Sequence, residues 1–132
     1  MNNKKIYLIY MNNLNNNFIN NFYNNFYNKI NNYGFHKCLS IFDKYSKCQY
    51  NNIEFNTPYD YLLFLTENEI KKFNYFNCNM NFQYINFDTY LINTHGTIQA
   101  IKFNNNISNI LRFSEAIIIK NNLIENYIIN IN

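Results

Sequence analysis

The chain has 132 residues, 48% hydrophobic and 20% aromatic, with a formal net charge of +3. That is enough apolar material for one domain around a single core, while the weak positive charge permits contact with nucleic acid without the basic stripe of a strong phosphate binder. No run reaches the roughly 18 apolar residues of a membrane span, and no Arg-rich, Ser-rich transit segment is present.

The opening residues Met1-Asn2-Asn3-Lys4-Lys5-Ile6-Tyr7-Leu8-Ile9-Tyr10 have too short an apolar core for a signal peptide and no small-residue cleavage site follows, so Lys4 to Met11 reads as a half-buried first strand. Leu14, Phe18, Phe22, Phe26 and Ile30 then recur every four residues, with Ile19, Tyr23, Tyr27 and Tyr33 beside them. Asn and Lys fill the other face, which predicts an amphipathic helix with an aromatic core stripe, and Gly34 follows as its C-terminal cap. Phe35 to Phe42 alternates like a strand, Asp43 to Lys47 is polar and turn-like, and Gln49 to Phe55 continues as strand. Asn56-Thr57-Pro58 is a turn with the sole proline, Tyr59 to Thr66 a strand candidate, and Glu67 to Phe76 has helical spacing. The stretch Asn77 to Asp88 carries no clear signal. Thr89 to Thr94 reads as strand, Thr97 to Asn104 as a short helix and Ile110 to Ile119 as the closing strand. The tail Asn121 to Asn132 is either an added strand or an extension lying on a partner.

This order, strand, helix, strand, strand, helix, strand, is the βαββαβ pattern of an α+β ferredoxin-like fold, an antiparallel sheet with two helices on one face. It predicts one domain over residues 1–120, with an insertion within about 67–104 before the last strand and a C-terminal extension over 121–132.

Asparagine fills about a quarter of the positions and Ile, Tyr, Phe and Lys much of the rest, the bias of AT-rich coding. Against it stands the only arginine, Arg112, in Asn109-Ile110-Leu111-Arg112-Phe113. A guanidinium grips phosphate or carboxylate with a planar fork that lysine lacks. Cys38, Cys48 and Cys78 are widely spaced and, with His36 and His95, complete no zinc pattern. His36 and Cys38 alternate on one predicted strand face and could join Cys48, but free thiols in a reducing compartment are the plainer reading. No Gly-rich phosphate loop, nucleophile elbow or His–carboxylate pairing appears. Asp88, His95 and Cys78 are the one conceivable catalytic trio, and nothing in the sequence selects them. The reading is a protein without catalytic residues, metal or cofactor.

Three segments make the chain resemble bacterial-type small-subunit ribosomal protein six (S-six). Ile30-Asn31-Asn32-Tyr33-Gly34 is similar to the tyrosine–glycine step closing that family's first helix. Lys47-Cys48-Gln49-Tyr50-Asn51-Asn52-Ile53 resembles its second strand, with one residue too many. Asn105-Asn106-Ile107-Ser108-Asn109-Ile110-Leu111-Arg112-Phe113, then Ile117-Ile118-Ile119-Lys120, resembles its closing turn and fourth strand. The tyrosine–glutamate of strand one is missing, since Leu8 follows Tyr7. Roughly 25 to 30 residues are surplus to ordinary loop lengths. They fall at 77–104 if strand three is Tyr59 to Thr66, or earlier if strand three is Phe87 to Asn93 and helix two is Thr97 to Asn104, the register preferred here.

The resemblance implies a structural, rRNA-binding constituent of the small ribosomal subunit, in the mitochondrial ribosome before a plastid or an AT-rich bacterium. It would sit at the platform beside ribosomal protein S-eighteen, without membrane or small-molecule substrate. Arg112, Lys120, Lys4 and Lys5 would be the RNA-binding candidates, placing cations on one region of the sheet. The plainer reading of Arg112 is a surface ion pair with Glu115 or another acid. The rival function is a non-catalytic ferredoxin-like or longin-like module whose strand edge docks a partner protein.

Overall fold

The aromatic stripe beginning at Phe18 forms a helix in two pieces. In the computed structural model, whose description covers residues 17–132, α1 runs over 17–25 and α2 over Tyr27–Asn32, with a turn at Phe26. Phe22, Phe26, Tyr27 and Ile30 are buried, so the stripe is core as its spacing demands. Gly34 closes the helix at φ +111°, its N–H donating to the Ile30 and Lys29 carbonyls, a backbone state only glycine reaches without strain. The predicted strand Lys4 to Met11 and the start of the helix at Leu14 lie outside the described residues.

From Phe35 the chain departs from expectation. Phe35–Ile41 is a 3-10 helix rather than a strand. Its buried members Phe35 and Cys38 are three apart, which matches three residues per turn and not the two-residue period of a strand. Six strands follow or flank the third helix: β1 Phe42–Tyr50, β2 Ile53–Phe55, then α3 Pro58–Glu67, then β3 Ile70–Asn86, β4 Thr89–Lys102, β5 Leu111–Lys120 and β6 Leu123–Ile131. They form one sheet in the order β2-β1-β6-β5-β4-β3, with β1 and β6 parallel and every other neighbouring pair antiparallel. The tail is therefore a strand inside the sheet, between β1 and β5.

Among the described residues the ferredoxin-like βαββαβ arrangement is thus replaced by a six-stranded mixed sheet with α1, α2 and α3 packed on its inner face. Tyr59 to Thr66 is helix, not strand. Thr57 caps it by accepting from the Asp60 N–H at 3.1 Å, Pro58 takes the first helical position, and Tyr61 and Leu65 are buried four apart. Glu67 to Phe76 belongs mostly to β3, where Phe73 and Tyr75 are buried two apart. Thr97 to Asn104, the preferred second helix, is the end of β4 and the turn after it. Apolar residues at adjacent and alternate positions satisfy either period in short windows, and the sheet partner decides.

The sheet curls around the helices. Its pairing shifts register between Phe76 and Asn79, between Tyr84 and Asn86, and between Ile118 and Ile119, and such bulges bend and twist a strand. At the first of these, Asn77 adopts φ +56° and β4 comes so close that a Cβ on Gly96 would stand 2.6 Å from the Asn77 carbonyl oxygen. The concave face so formed carries Phe73, Tyr75, Ile92, Ile98, Phe113, Ile117, Ile119, Ile124, Tyr127 and Ile129, all buried. No helix among the described residues is long and apolar enough to cross a membrane.

Helix α2 is fastened to the sheet's last strand by one side chain. The Asn31 amide donates to the Tyr75 carbonyl at 3.0 Å and accepts from the Tyr75 N–H at 2.6 Å, while Lys72 Nζ reaches the Asn31 backbone carbonyl at 2.6 Å. Replacing Asn31 by Ala removes both amide bonds and should lower unfolding free energy by about 2 kcal/mol, read from urea denaturation; an unchanged midpoint would show the clamp to be idle. Gly96→Ala should cost roughly 1–3 kcal/mol by forcing the bulge apart, and thermal unfolding reports it.

Candidate functional site

Along β5 the inward positions are Phe113, Glu115, Ile117 and Ile119, so a carboxylate occupies an apolar register. Glu115 is 3% exposed. Its oxygens accept three phenol hydroxyls brought by three other elements: Tyr27 of α2 at 2.5 Å, Tyr75 of β3 at 2.7 Å, and Tyr127 of β6. The Tyr75 and Tyr127 hydroxyls are 3.3 Å apart. Rings enclose the cluster, with Tyr27 edge-on to Tyr75 at 4.9 Å and Tyr75 edge-on to Phe113 at 5.0 Å between centroids. Thr94 on β4 pairs directly across from Glu115 and is also buried.

Two effects compete at the carboxyl. Burial penalises its charge and dominates, while the bonds from Tyr127, Tyr27 and Tyr75 favour the anion and pull the other way. The balance raises Glu115 from the ordinary 4.5 to about 7. The phenols are shifted in the same direction: burial first, and the Glu115 charge second, push Tyr27, Tyr75 and Tyr127 well above their usual value. The cluster therefore holds one proton that exchanges near neutrality and three that do not. A carboxyl so placed can accept or give a proton at physiological pH.

An open cleft of about 140 Å³ lies beside α1, lined by Phe18, Asn21, Phe22, Asn25, Ile41, Ile119, Asn122 and Ile124. Phe22 forms part of its wall and also meets Tyr27 edge-on at 6.0 Å and Phe26 at 5.3 Å. Through Phe22 the wall of the cleft thus touches Tyr27, one of the three tyrosines that hold Glu115. A wider groove of about 440 Å³, lined by Asp43, Ser46, Lys120 and Glu125 among others, touches none of the cluster.

The residues singled out by sequence fall elsewhere. Arg112 and Lys120 are exposed near opposite ends of β5, eight residues and so about 27 Å apart, and make no common cationic patch. Lys4 and Lys5 lie outside the described residues. Arg112 and Glu115, three positions apart on one strand, face opposite sides of the sheet and form no pair. Cys38 and Cys48 are buried, with burial pushing each thiol up to about 12, whereas His36 is exposed, so no shared ligand set forms. No group of three or more His, Cys, Asp and Glu among the described residues is placed to hold a metal. Asp88 at the β3–β4 turn, exposed His95 and inward Cys78 are not brought together. Glu115 entered the sequence reading only as a partner for Arg112. The signal that finds it is the acid in the alternating apolar run Phe113, Ile117, Ile119.

No family model matches the sequence, nor does any curated protein. The fold, however, has clear likenesses among solved structures. A protein from Novosphingobium aromaticivorans assigned as a scytalone dehydratase superposes with a TM-score of 0.70 at 9% identity, covering 92% of this chain and 86% of its own. A protein from Streptomyces avermitilis assigned as a dehydratase of the NTF2-like family gives 0.65 at 9% identity over 86% of this chain and 94% of its own. The LinA-type hexachlorocyclohexane dehydrochlorinase of Novosphingobium barchaimii gives 0.65 at 10% identity over 86% and 84%.

The fold is thus NTF2-like, a curved sheet closed by helices into a cone. That overturns the resemblance to S-six, and with it the ribosomal role, the rRNA and S-eighteen partners and the ferredoxin-like or longin-like interaction module. The expectation of no small-molecule substrate is withdrawn too, since several likenesses carry the names of enzymes of small-molecule chemistry.

Because the folded carboxyl binds its proton more tightly than the unfolded one, its contribution to stability is fully present below about 4.5 and is lost as pH rises through about 7. The total swing should be roughly 3 kcal/mol. Unfolding free energies of the wild type and Glu115→Gln measured across this window should diverge by that slope. Parallel curves would place the Glu115 titration in its ordinary range.

Proposed function

We propose that this chain is a small-molecule-binding domain that admits a molecule of about one ring through the Phe22 cleft and meets it inside the cone with Glu115 as the acid–base group. The single observation that carries this reading is a carboxyl buried in the cone and held by three phenols, where burial raises it to about 7. Core carboxylates are costly, and strongly shifted ones cluster at functional positions. The cleft suits the ligand size, since engineered apolar cavities of about 150 Å³ take up benzene. Phe18, Phe22, Ile41, Ile119 and Ile124 supply its apolar wall and Asn21, Asn25 and Asn122 its polar rim.

The names of the fold's likenesses, dehydratase and dehydrochlorinase, describe eliminations, which need a group that removes a proton. In this chain Glu115 is the described residue suited to that task, and movement of Phe22 and Tyr27 together would open the cleft toward it. A second reading has its own support: Glu115 already accepts three bonds and does not line the cleft, which fits a cluster that only organises the core.

Phenol is a suitable probe. Titrated into the labelled full chain, it should shift the methyl signals of Ile41, Ile119 and Ile124 saturably, and the Glu115 carboxyl signal with them. Phe22→Trp, which fills the cleft, should weaken binding tenfold or more. Shifts that never saturate, or that leave Glu115 untouched, would favour the purely structural cluster.

A further inference from the structure

One corner of the Glu115 cluster is chemically incomplete. A carboxylate offers about four acceptor positions, and Tyr27, Tyr75 and Tyr127 occupy three of them. Directly across the β4–β5 ladder, Thr94 is 2% exposed and its Oγ1 has no hydrogen-bond partner among the described residues. Thr94 is near enough to the Tyr27 oxygen to favour the phenolate as a donor would, but the two make no hydrogen bond, and the one proton of Tyr27 is directed at Glu115. Nor do Thr94 and Glu115 bond each other. An unused acceptor and an unpaired hydroxyl therefore stand on neighbouring strands, on one inner face, among Ile92, Phe113 and Ile117. Buried polar groups are nearly always paired, and each exception asks for its partner.

We infer that Thr94 and Glu115 form the polar subsite of the cone and that it selects a molecule bearing a neutral hydroxyl group. The inference rests on the reading of the cone as a small-molecule site and names what that site recognises. A hydroxyl both donates and accepts, so it gives its proton to the fourth position on Glu115 and takes one from Thr94. A ketone or ether satisfies Thr94 alone. A carboxylate brings a second negative charge beside Glu115. A methyl group leaves both protein groups unpaired, and a site built around hydrogen bonds rejects such an analogue strongly. The informative comparison is therefore between ligands that differ only in the hydroxyl.

Phenol and toluene make that comparison, by methyl-shift titration of the full chain. An apolar cleft without a polar subsite favours toluene, the less soluble of the two. The wild type should instead bind phenol at least about tenfold more tightly. Thr94→Val should abolish that preference through weaker phenol binding, with toluene unchanged. Because this substitution removes an unpaired hydroxyl, it should leave the melting temperature of the unliganded protein equal or higher. Preference for toluene in the wild type, phenol selectivity that survives in Thr94→Val, or a clear fall in that variant's melting temperature would each overturn the subsite while leaving the binding reading intact. Failure of both molecules to bind would overturn the two together.

Discussion

A carboxylate removed from water must be compensated where it lies, and the compensation at Glu115 dictates much else in this molecule. Its three phenol donors come from α2, β3 and β6, and the acid itself from β5. The cluster holds those four elements to one mutual arrangement. A slip of one residue in β5 would turn Glu115 to solvent and Arg112, Ser114 and Ala116 into the cone. It would also leave three phenols buried without their shared acceptor. The aromatic packing around them, edge-on at Tyr27–Tyr75 and Tyr75–Phe113, favours the same geometry. Hydrophobic burial supplies most of the drive to fold; the polar cluster adds register.

The asparagine excess has structural uses that composition alone conceals. The chain has only two glycines, yet its turns and the bulge in β3 require left-handed backbone. Asn51, Asn77, Asn105, Asn121 and Asn122 all supply it, asparagine being among the few non-glycine residues that tolerate this region. Asn121 and Asn122, at φ 52° and 65°, form the two-residue hairpin between Lys120 and Leu123, where positive φ at both positions suits the twist of the strands. Coding bias blurs the signal of any one asparagine without emptying it of function.

What the sequence disclosed follows from which signals are local. The helix stripe from Phe18 to Ile30, the Gly34 cap and the β5 alternation depend on near neighbours, and the structure contains them. Thr57-Pro58 is also local information: a capping threonine before a first-turn proline announces a helix, although the composition of Tyr59 to Thr66 on its own reads as strand. The sheet order was not local. The parallel pairing of β1 with β6 joins residues about eighty positions apart, and no periodicity encodes it. Once the tail is read as an extension rather than a strand beside β1, the remaining elements fit a four-stranded fold well enough to mislead. The chemical site suffered similarly. Arg112 attracted attention through rarity, whereas Glu115 matters through position, and position appears only when Tyr27, Tyr75 and Tyr127 converge on it.

The Asn31 clamp on β3 has a consequence beyond holding α2 in place. Strand β3 is last in the order of the described sheet, and such a strand offers unpaired backbone groups as a template for another chain. At Tyr75 that template is already used, because both its N–H and its carbonyl are bonded to one asparagine side chain. An asparagine-rich, aromatic chain is the kind of sequence in which strands from different copies stack into fibrils. Asn31 mimics a neighbouring strand for one residue and leaves no edge there to extend. The same side-chain chemistry that makes such a sequence prone to self-assembly serves, at this position, to oppose it.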